Sequence, residues 1–190
     1  LRIVNALSDE EHPCQALADM QTLQERWGSV EGRTIAFVGD GNNVATSLVH
    51  AGLMLGAHMR IATPKGYGLP PEVAEVAARI AVKGAELTQY EDPKVAVKDA
   101  DAIYTDVWTS MGQEVEYAER TKTFSRYQVN DAMMARARAD ALFMHCLPAH
   151  RGQEVSDDVM ESSASVAFDQ AENRLHAQKA MLVALFADGR

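Results

Sequence analysis

The chain has 190 residues, of which 47% are hydrophobic and 24% are charged, as expected for a globular protein with one sizeable core. Its formal net charge of −9 argues against nucleic acid as a partner, because phosphate binding needs a basic face. The sequence has no run of about 18 apolar residues that would predict a membrane span, and its first residues do not predict a secretory signal.

Apolar runs alternate with segments of helical period along most of the chain. Strands are predicted at residues 34–40, 58–64, 86–90, 102–107 and 141–145, with a sixth at 165–169. Helices are predicted at residues 14–27, 42–55, 70–83, 94–98 and 171–187. The segment 111–127 has no clear period, and long connections of this kind are often lids or binding loops. This alternation predicts an α/β fold: a doubly wound, Rossmann-like parallel sheet with helices on both faces and flanking terminal helices.

The segment His12-Pro13-Cys14-Gln15 opens the first predicted helix, where proline is well tolerated. His12 and Gln15 lie three residues apart, so both can contact one ligand and donate to a carbonyl or phosphate oxygen. The spacing does not predict a metal site, because a second histidine at i+4 is missing. A lone His-Pro pair is otherwise a common helix start.

Glycines and asparagines form a turn between the first strand and its helix, at Gly39-Asp40-Gly41-Asn42-Asn43. Two glycines allow a tight turn and a close approach of the backbone to a neighbour. A dinucleotide fingerprint would also need glycine where Val44 stands and an acid where Ala62-Thr63-Pro64 stands, so NAD binding is not predicted. The carboxamides can cap the helix or hold a polar ligand. Both roles stay open for Asn42, and a ligand role is favoured for Asn43.

A carboxylate and hydroxyl groups lie at the end of the fourth predicted strand and just after it, in Asp106-Val107-Trp108-Thr109-Ser110-Met111-Gly112. Asp106 can hold a cationic amine, and Ser110 or backbone groups can hold a carboxylate, which together would suit an amino acid. The alternative is that Asp106 caps a turn and Trp108 packs in the core, which is the commoner arrangement for such residues.

The fifth predicted strand ends in His145-Cys146-Leu147-Pro148, where Pro148 removes a backbone donor and stops the strand ladder. In open α/β sheets, ligands bind outside the carboxyl ends of the strands. Neighbouring residues of a strand point to opposite faces, so a nucleophilic pair of Cys146 and His145 is not expected. We instead expect Cys146 to contact a ligand as a thiol or thiolate.

The two cysteines and the last helix allow two further expectations. Cys14 and Cys146 lie far apart in different contexts, which favours free thiols in a reducing compartment and hence a cytoplasmic location. Arg174 has a planar guanidinium that suits a phosphate or a carboxylate. A surface ion pair with Glu172 or another nearby acid is the alternative for Arg174.

In this order, the motifs resemble the carbamoyltransferase family and, within it, the ornithine-specific branch. The matching pieces lie at residues 12–15, 39–43, 106–114, 145–148 and 172–174. The resemblance implies transfer of the carbamoyl group of carbamoyl phosphate to the δ-amine of ornithine, giving citrulline and phosphate. It also implies that no metal or organic cofactor is needed.

The resemblance assigns roles to individual residues. Those implied to contact carbamoyl phosphate are His12, Gln15, Cys146, Leu147 and Arg174. Those implied to hold ornithine are Asn43, Asp106, Ser110 and Met111. Those implied to be catalytic are Cys146, Asp106 and His12. The Leu147–Pro148 bond is expected to be cis.

The sequence departs from the family pattern at one point, since the Ser-x-Arg-Thr-Arg phosphate motif does not occur in it. We therefore expect an interdomain helix at 1–30, an ornithine-binding α/β domain at 31–170, and a helix at 171–190 that packs on an absent amino-terminal domain. The family assembles as a homotrimer, largely through contacts of that domain. Two alternatives remain: a free-standing ornithine or amino-acid-binding module, or a carbamoyltransferase acting on putrescine or N-acetylornithine.

Overall fold

The computed structural model describes residues 2–109 and 114–186, and within these ranges the chain forms one sheet of five parallel strands and eight α-helices. The strands are β1 (Thr34–Val38), β2 (His58–Ala62), β3 (Leu87–Tyr90), β4 (Ala102–Thr105) and β5 (Leu142–His145). The helices are α1 (Pro13–Trp27), α2 (Asn43–Met54), α3 (Pro71–Ile80), α4 (Pro93–Ala96), α5 (Tyr117–Phe124), α6 (Asp131–Met134), α7 (Asp157–Met160) and α8 (Ala167–Phe186).

The strands lie side by side in the order β3-β2-β1-β4-β5. The chain winds outward from β1 in one direction and then continues from β4 in the other. A crevice therefore opens between the carboxyl ends of β1 and β4, where such folds bind ligands. The predicted doubly wound α/β fold is confirmed.

Both faces of the sheet are buried. In β1, the fully buried side chains of Ile35 and Phe37 pack in the core shared with α1, α2 and α3. Those of Ala36 and Val38 pack in the core shared with α4, α6 and α7. This two-sided burial explains why the strands are continuous apolar runs rather than alternating ones.

The terminal helices α1 and α8 pack on each other. Asn173 Nδ2 donates to Thr22 Oγ1 at 3.0 Å, and Gln170 Nε2 donates to Asp19 Oδ1 at 2.6 Å. All four of these side chains are buried.

No helix in the described part of the chain is both long and apolar enough to cross a membrane.

Two predictions about secondary structure are wrong. The sixth strand is a single bridge between Ser165 and Phe143, and α8 already begins at Ala167, because the buried positions Ala167, Gln170 and Asn173 recur at helical spacing. Much of the segment 111–127 is helical rather than an irregular loop: α5 lies between 3-10 turns at Glu114–Glu116 and Ser125–Tyr127. The helical period of this segment is not visible in the sequence, because its helices are short and α5 buries only Arg120 and Phe124.

Candidate functional site

Three loops that follow β1, β4 and β5 meet at one carboxylate in the crevice, that of Asp106. Asn42 Nδ2 donates to Asp106 Oδ2 at 2.7 Å. The Cys146 thiol and the backbone N–H of Val107 donate to Oδ1 at 3.0 and 2.8 Å. Asp106 is only 6% exposed, so its charge is stabilised mainly by these donors. The structure thus brings two predicted site residues, Asp106 and Cys146, into direct contact.

Gly41 accounts for the close backbone approach that the glycine turn predicts. Its N–H donates to the Tyr67 carbonyl oxygen at 2.9 Å. A Cβ on Gly41 would lie 2.5 Å from the carbonyl carbon of Gly68 and 2.6 Å from the nitrogen of Leu69. The partner of this approach is therefore the neighbouring loop after β2, which holds the turn in place.

The two asparagines of the turn have different roles. Asn42 Oδ1 accepts from the Ala45 N–H at 3.1 Å while its Nδ2 contacts Asp106, so Asn42 both caps α2 and belongs to the site. Asn43 Nδ2 donates to the Ser8 carbonyl oxygen at 2.8 Å, and its Oδ1 accepts from the Val44 N–H at 2.9 Å. Asn43 thus fixes the segment before α1, and its ornithine role stays a prediction.

Cys146 and His145 point to different partners, as strand geometry predicts. Burial, the neighbouring Asp106 carboxylate and the hydrogen bond to it raise the pKa of the Cys146 thiol well above 9.0. Cys146 is therefore a neutral thiol, whereas the sequence left open whether it is a thiol or a thiolate. The fully buried ring of His145 lies with Nε2 3.3 Å from Glu154 Oε1, and its Nδ1 accepts from the Leu147 N–H at 2.9 Å.

The segment after Cys146 has the conformation that the family resemblance implies. The Leu147–Pro148 peptide bond is cis, and Leu147 has a φ of 56°. Leu147 is partly exposed at this edge of the sheet. The predicted roles of Leu147 and Cys146 toward carbamoyl phosphate remain predictions.

Gln15 and Arg174 meet across the α1–α8 interface. Arg174 Nη1 donates to Gln15 Oε1 at 2.7 Å, and Arg174 Nε donates to Gln178 Oε1 at 2.9 Å. Arg174 thus contacts carboxamide oxygens rather than the Glu172 carboxylate that the alternative interpretation names. Arg174 also lies two turns inside α8 rather than at its start, because the helix begins at Ala167.

His12 has a hydrogen-bond pattern that determines its tautomer. Its Nδ1 lies 2.7 Å from the Ala6 carbonyl oxygen, which has no proton to donate, so Nδ1 carries the hydrogen. Burial lowers the pKa of His12, and the positive charge of Arg174 lowers it further, against the opposing effects of Ala6 and Asp106. The neutral ring then presents Nε2 as an acceptor. The sequence-based expectation that His12 donates to a carbonyl or phosphate oxygen therefore holds only for the charged ring.

We expect the pKa of His12, measured by NMR titration of this chain, to lie below the ordinary value of 6.5. The ¹⁵N shifts should report a proton on Nδ1 above that pKa. Arg174→Met should raise the pKa, because it removes a nearby positive charge. A His12 pKa at or above 6.5, or a proton on Nε2 alone, would contradict this reading of the site.

One group at the site has the spacing of metal ligands. Donor atoms of Asp106, His145 and Cys146 all lie within 4.8 Å of one another. However, His145 Nδ1 accepts a backbone N–H from Leu147, and its Nε2 faces Glu154. Both ring nitrogens are therefore already engaged, and we interpret the group as a hydrogen-bonded cluster.

Sequence reasoning missed a buried cation beside the glycine turn. Arg120 of α5 is 3% exposed and pairs with the Asp40 carboxylate, and its Nε donates to the Trp108 carbonyl oxygen at 2.5 Å. Burial raises the pKa of Asp40, and the charge of Arg120 opposes this effect. Through Asp40 and Trp108, Arg120 joins the loop after β1 to the loop after β4.

Two predicted ornithine contacts, Ser110 and Met111, lie outside the described residues.

Known proteins resemble the chain in both sequence and structure. The family model for the aspartate/ornithine carbamoyltransferase Asp/Orn binding domain matches residues 31–185. The chain is 57% identical over 181 residues to an ornithine carbamoyltransferase of Thermococcus kodakarensis, covering 95% of this chain and 58% of that protein.

Solved structures agree with these matches. An ornithine carbamoyltransferase of Pyrococcus furiosus superposes with a TM-score of 0.90 at 55% identity, covering 94% of this chain and 57% of that one. An anabolic ornithine carbamoyltransferase of Campylobacter jejuni superposes with a TM-score of 0.89 at 38% identity, covering 97% and 62%. The chain spans about 58% of the length of the curated relatives it matches. It belongs to the aspartate/ornithine carbamoyltransferase family, of which it contains the Asp/Orn binding domain.

Proposed function

We propose that this chain forms the ornithine-binding part of an ornithine carbamoyltransferase. The enzyme would transfer the carbamoyl group of carbamoyl phosphate to the δ-amine of ornithine, giving citrulline and inorganic phosphate. The observation that carries this proposal is the contact of the Asp106 carboxylate with the Cys146 thiol at the crevice of the sheet. The curated relatives are ornithine carbamoyltransferases by name, which supports the same substrate.

The proposed mechanism depends on positioning and on polar groups aimed at the carbamoyl group. The neutral δ-amine attacks the carbamoyl carbon next to Asp106 and Cys146, and the bond from that carbon to the phosphate oxygen breaks. The proton that the amine loses leaves with the phosphate. Gln15 uses one N–H of its carboxamide toward Asp19. The other N–H would donate to the carbamoyl oxygen, whereas the neutral His12 ring would accept from the carbamoyl NH₂ through Nε2. Asn43, Ser110 and Met111 would hold the amino-acid end of ornithine.

Arg174 would contact the phosphate end of carbamoyl phosphate, but further cationic groups are needed there. The family's Ser-x-Arg-Thr-Arg motif would supply them from an amino-terminal domain. α8 exposes apolar side chains that suit such a partner: Leu175 is 67% exposed, Val183 58% and Phe186 53%. We propose that the whole protein is a cytoplasmic homotrimer in arginine biosynthesis, with this face of α8 against the amino-terminal domain.

Calorimetry of this chain with ornithine, putrescine and carbamoyl phosphate, each alone, tests the substrate assignment. We expect ornithine to bind, and Asp106→Asn to weaken it about tenfold or more, because a charge-assisted hydrogen bond to the amine is lost. Asp158→Asn, an exposed change in α7, should leave binding unchanged. Equal or tighter binding of putrescine would instead favour the diamine alternative, and absence of ornithine binding would contradict the proposal.

A turnover assay tests the division of the site between two domains. With both substrates present, we expect no citrulline from this chain alone, because the rest of the phosphate site is proposed to lie elsewhere. Substantial citrulline formation would show that the chain already holds a complete site. If the chain both binds ornithine and forms citrulline, an amino-terminal domain is not needed to complete the phosphate site, and that part of the proposal is wrong.

A further inference from the structure

Asp19 of α1 has a fully buried carboxylate, which the function proposed above mentions only as an acceptor for Gln15. Its side chain is 0% exposed. Its Oδ1 accepts from Gln15 Nε2 at 2.8 Å and from Gln170 Nε2 at 2.6 Å. One oxygen atom therefore holds two carboxamides, one from α1 and one from α8.

Each of these carboxamides has only one orientation that satisfies its neighbours. Gln15 Oε1 accepts from Arg174, whose guanidinium can only donate, so Nε2 must face Asp19. Gln170 Oε1 accepts from the His145 N–H at 3.1 Å, so its Nε2 must also face Asp19. Gln170 Nε2 donates in addition to the Tyr104 hydroxyl oxygen at 3.0 Å.

The two carboxamides lead from Asp19 to different parts of the site. Gln15 leads to Arg174, on the side proposed to hold carbamoyl phosphate. Gln170 leads to the backbone of His145 at the end of β5, immediately before Cys146 and its contact with Asp106. Asp19 is thus the acceptor that both sides share.

We propose that Asp19 is a positioning residue, which orients Gln15 and Arg174 on one side of the site and the end of β5 on the other. Which substrate lies on which side rests on the proposed function. The hydrogen bonds that Asp19 shares between Gln15 and Gln170 are observed and do not depend on that function. If Asp19 lost its charge, Gln15 and Gln170 would each lose the strong acceptor that fixes their orientation. Both sides of the site would then loosen together.

The charge of Asp19 gives this network a measurable signature. Burial raises the pKa of Asp19 to about 7, against the hydrogen bonds from Gln15 and Gln170, the nearby Tyr104 hydroxyl and the charge of Arg174. The pKa values of Tyr104 and Cys146, which also face this network, are raised well above their ordinary values, so both stay neutral near pH 7. An ionised carboxylate is the stronger acceptor, so its protonation should weaken both carboxamide contacts at the same pH.

NMR of this chain without substrates tests the proposal. The signals followed from about pH 5 to about pH 9 are the Asp19 carboxyl carbon, the side-chain NH₂ groups of Gln15 and Gln170, and Arg174 Nε–H. We expect one shared midpoint. Asp19→Asn should abolish this midpoint at Gln15, Gln170 and Arg174. If that variant does not fold, the shared midpoint in the unmodified chain decides the question.

Thr22→Val is the matched control, because it removes another buried hydrogen bond between α1 and α8, that of Asn173 with Thr22, and leaves the Asp19 contacts intact. We expect the shared midpoint to persist in Thr22→Val. Different midpoints for Gln15 and Gln170, or an equal loss in Thr22→Val, would overturn the proposal. Failure of ornithine binding would leave this result unaffected, since no substrate is used.

Discussion

Replacing Gly41 with alanine should destabilise the chain by about 3 kcal/mol, because the new Cβ would overlap backbone atoms that cannot rotate away. The atoms are the carbonyl carbon of Gly68 at 2.5 Å and the nitrogen of Leu69 at 2.6 Å. Relief would require the turn after β1 and the loop after β2 to separate, which would also break the hydrogen bond from the Gly41 N–H to Tyr67. Urea unfolding at one pH measures the loss.

Gly68→Ala is the matched control for Gly41→Ala. A Cβ at Gly68 would have its nearest neighbours, on Gln89 and Thr63, at 3.7 Å, which is ordinary van der Waals contact. We expect a change of less than about 1 kcal/mol for this variant. Equal losses of stability in the two variants would show that any side chain at this contact between the two loops is destabilising. The overlap of the Gly41 Cβ with the backbone would then not be the cause of the loss.

The strands and the position of the site could be predicted from the sequence because both depend on local patterns. Parallel strands buried on both faces are continuous apolar runs, and β1 is one of them. Loops at the carboxyl ends of parallel strands meet at one edge of the sheet, which is why the sequence places the site there. The sequence names Asp106 and Cys146 as site residues but does not predict the direct contact of their side chains, which the structure adds.

The hydrogen-bond partners of the polar side chains near the site could not be predicted, because they depend on how separate segments of the chain pack together. Asp19 and Gln170 are 151 residues apart and meet only because α1 and α8 pack together. The tautomer of His12 depends on the position of the Ala6 carbonyl oxygen, and the difference between Asn42 and Asn43 depends on where Ser8 lies. The periodicity of the sequence predicts which face of a helix is buried, but it does not predict which polar groups its side chains contact there.

Asp19 should make the stability of the chain depend on pH in an unusual direction. The pKa of this carboxyl is raised from 3.8 to about 7, so between these values the folded chain binds more protons than the unfolded chain. The free energy of unfolding contributed by Asp19 therefore falls as the pH rises through this window. Most paired carboxylates act in the opposite direction, because their pKa values are lowered on folding.

Asp19→Asn removes the titrating group and keeps an oxygen that can accept from Gln15 and Gln170. Urea unfolding of both proteins at about pH 5 and about pH 8 should show the variant gaining roughly 2–3 kcal/mol relative to the unmodified chain at the higher pH. Thr22→Val, which changes no titratable group, should show the same difference at both pH values. If Asp19→Asn also shows no change with pH, the carboxyl titrates as it does in the unfolded chain, and its burial does not control its charge.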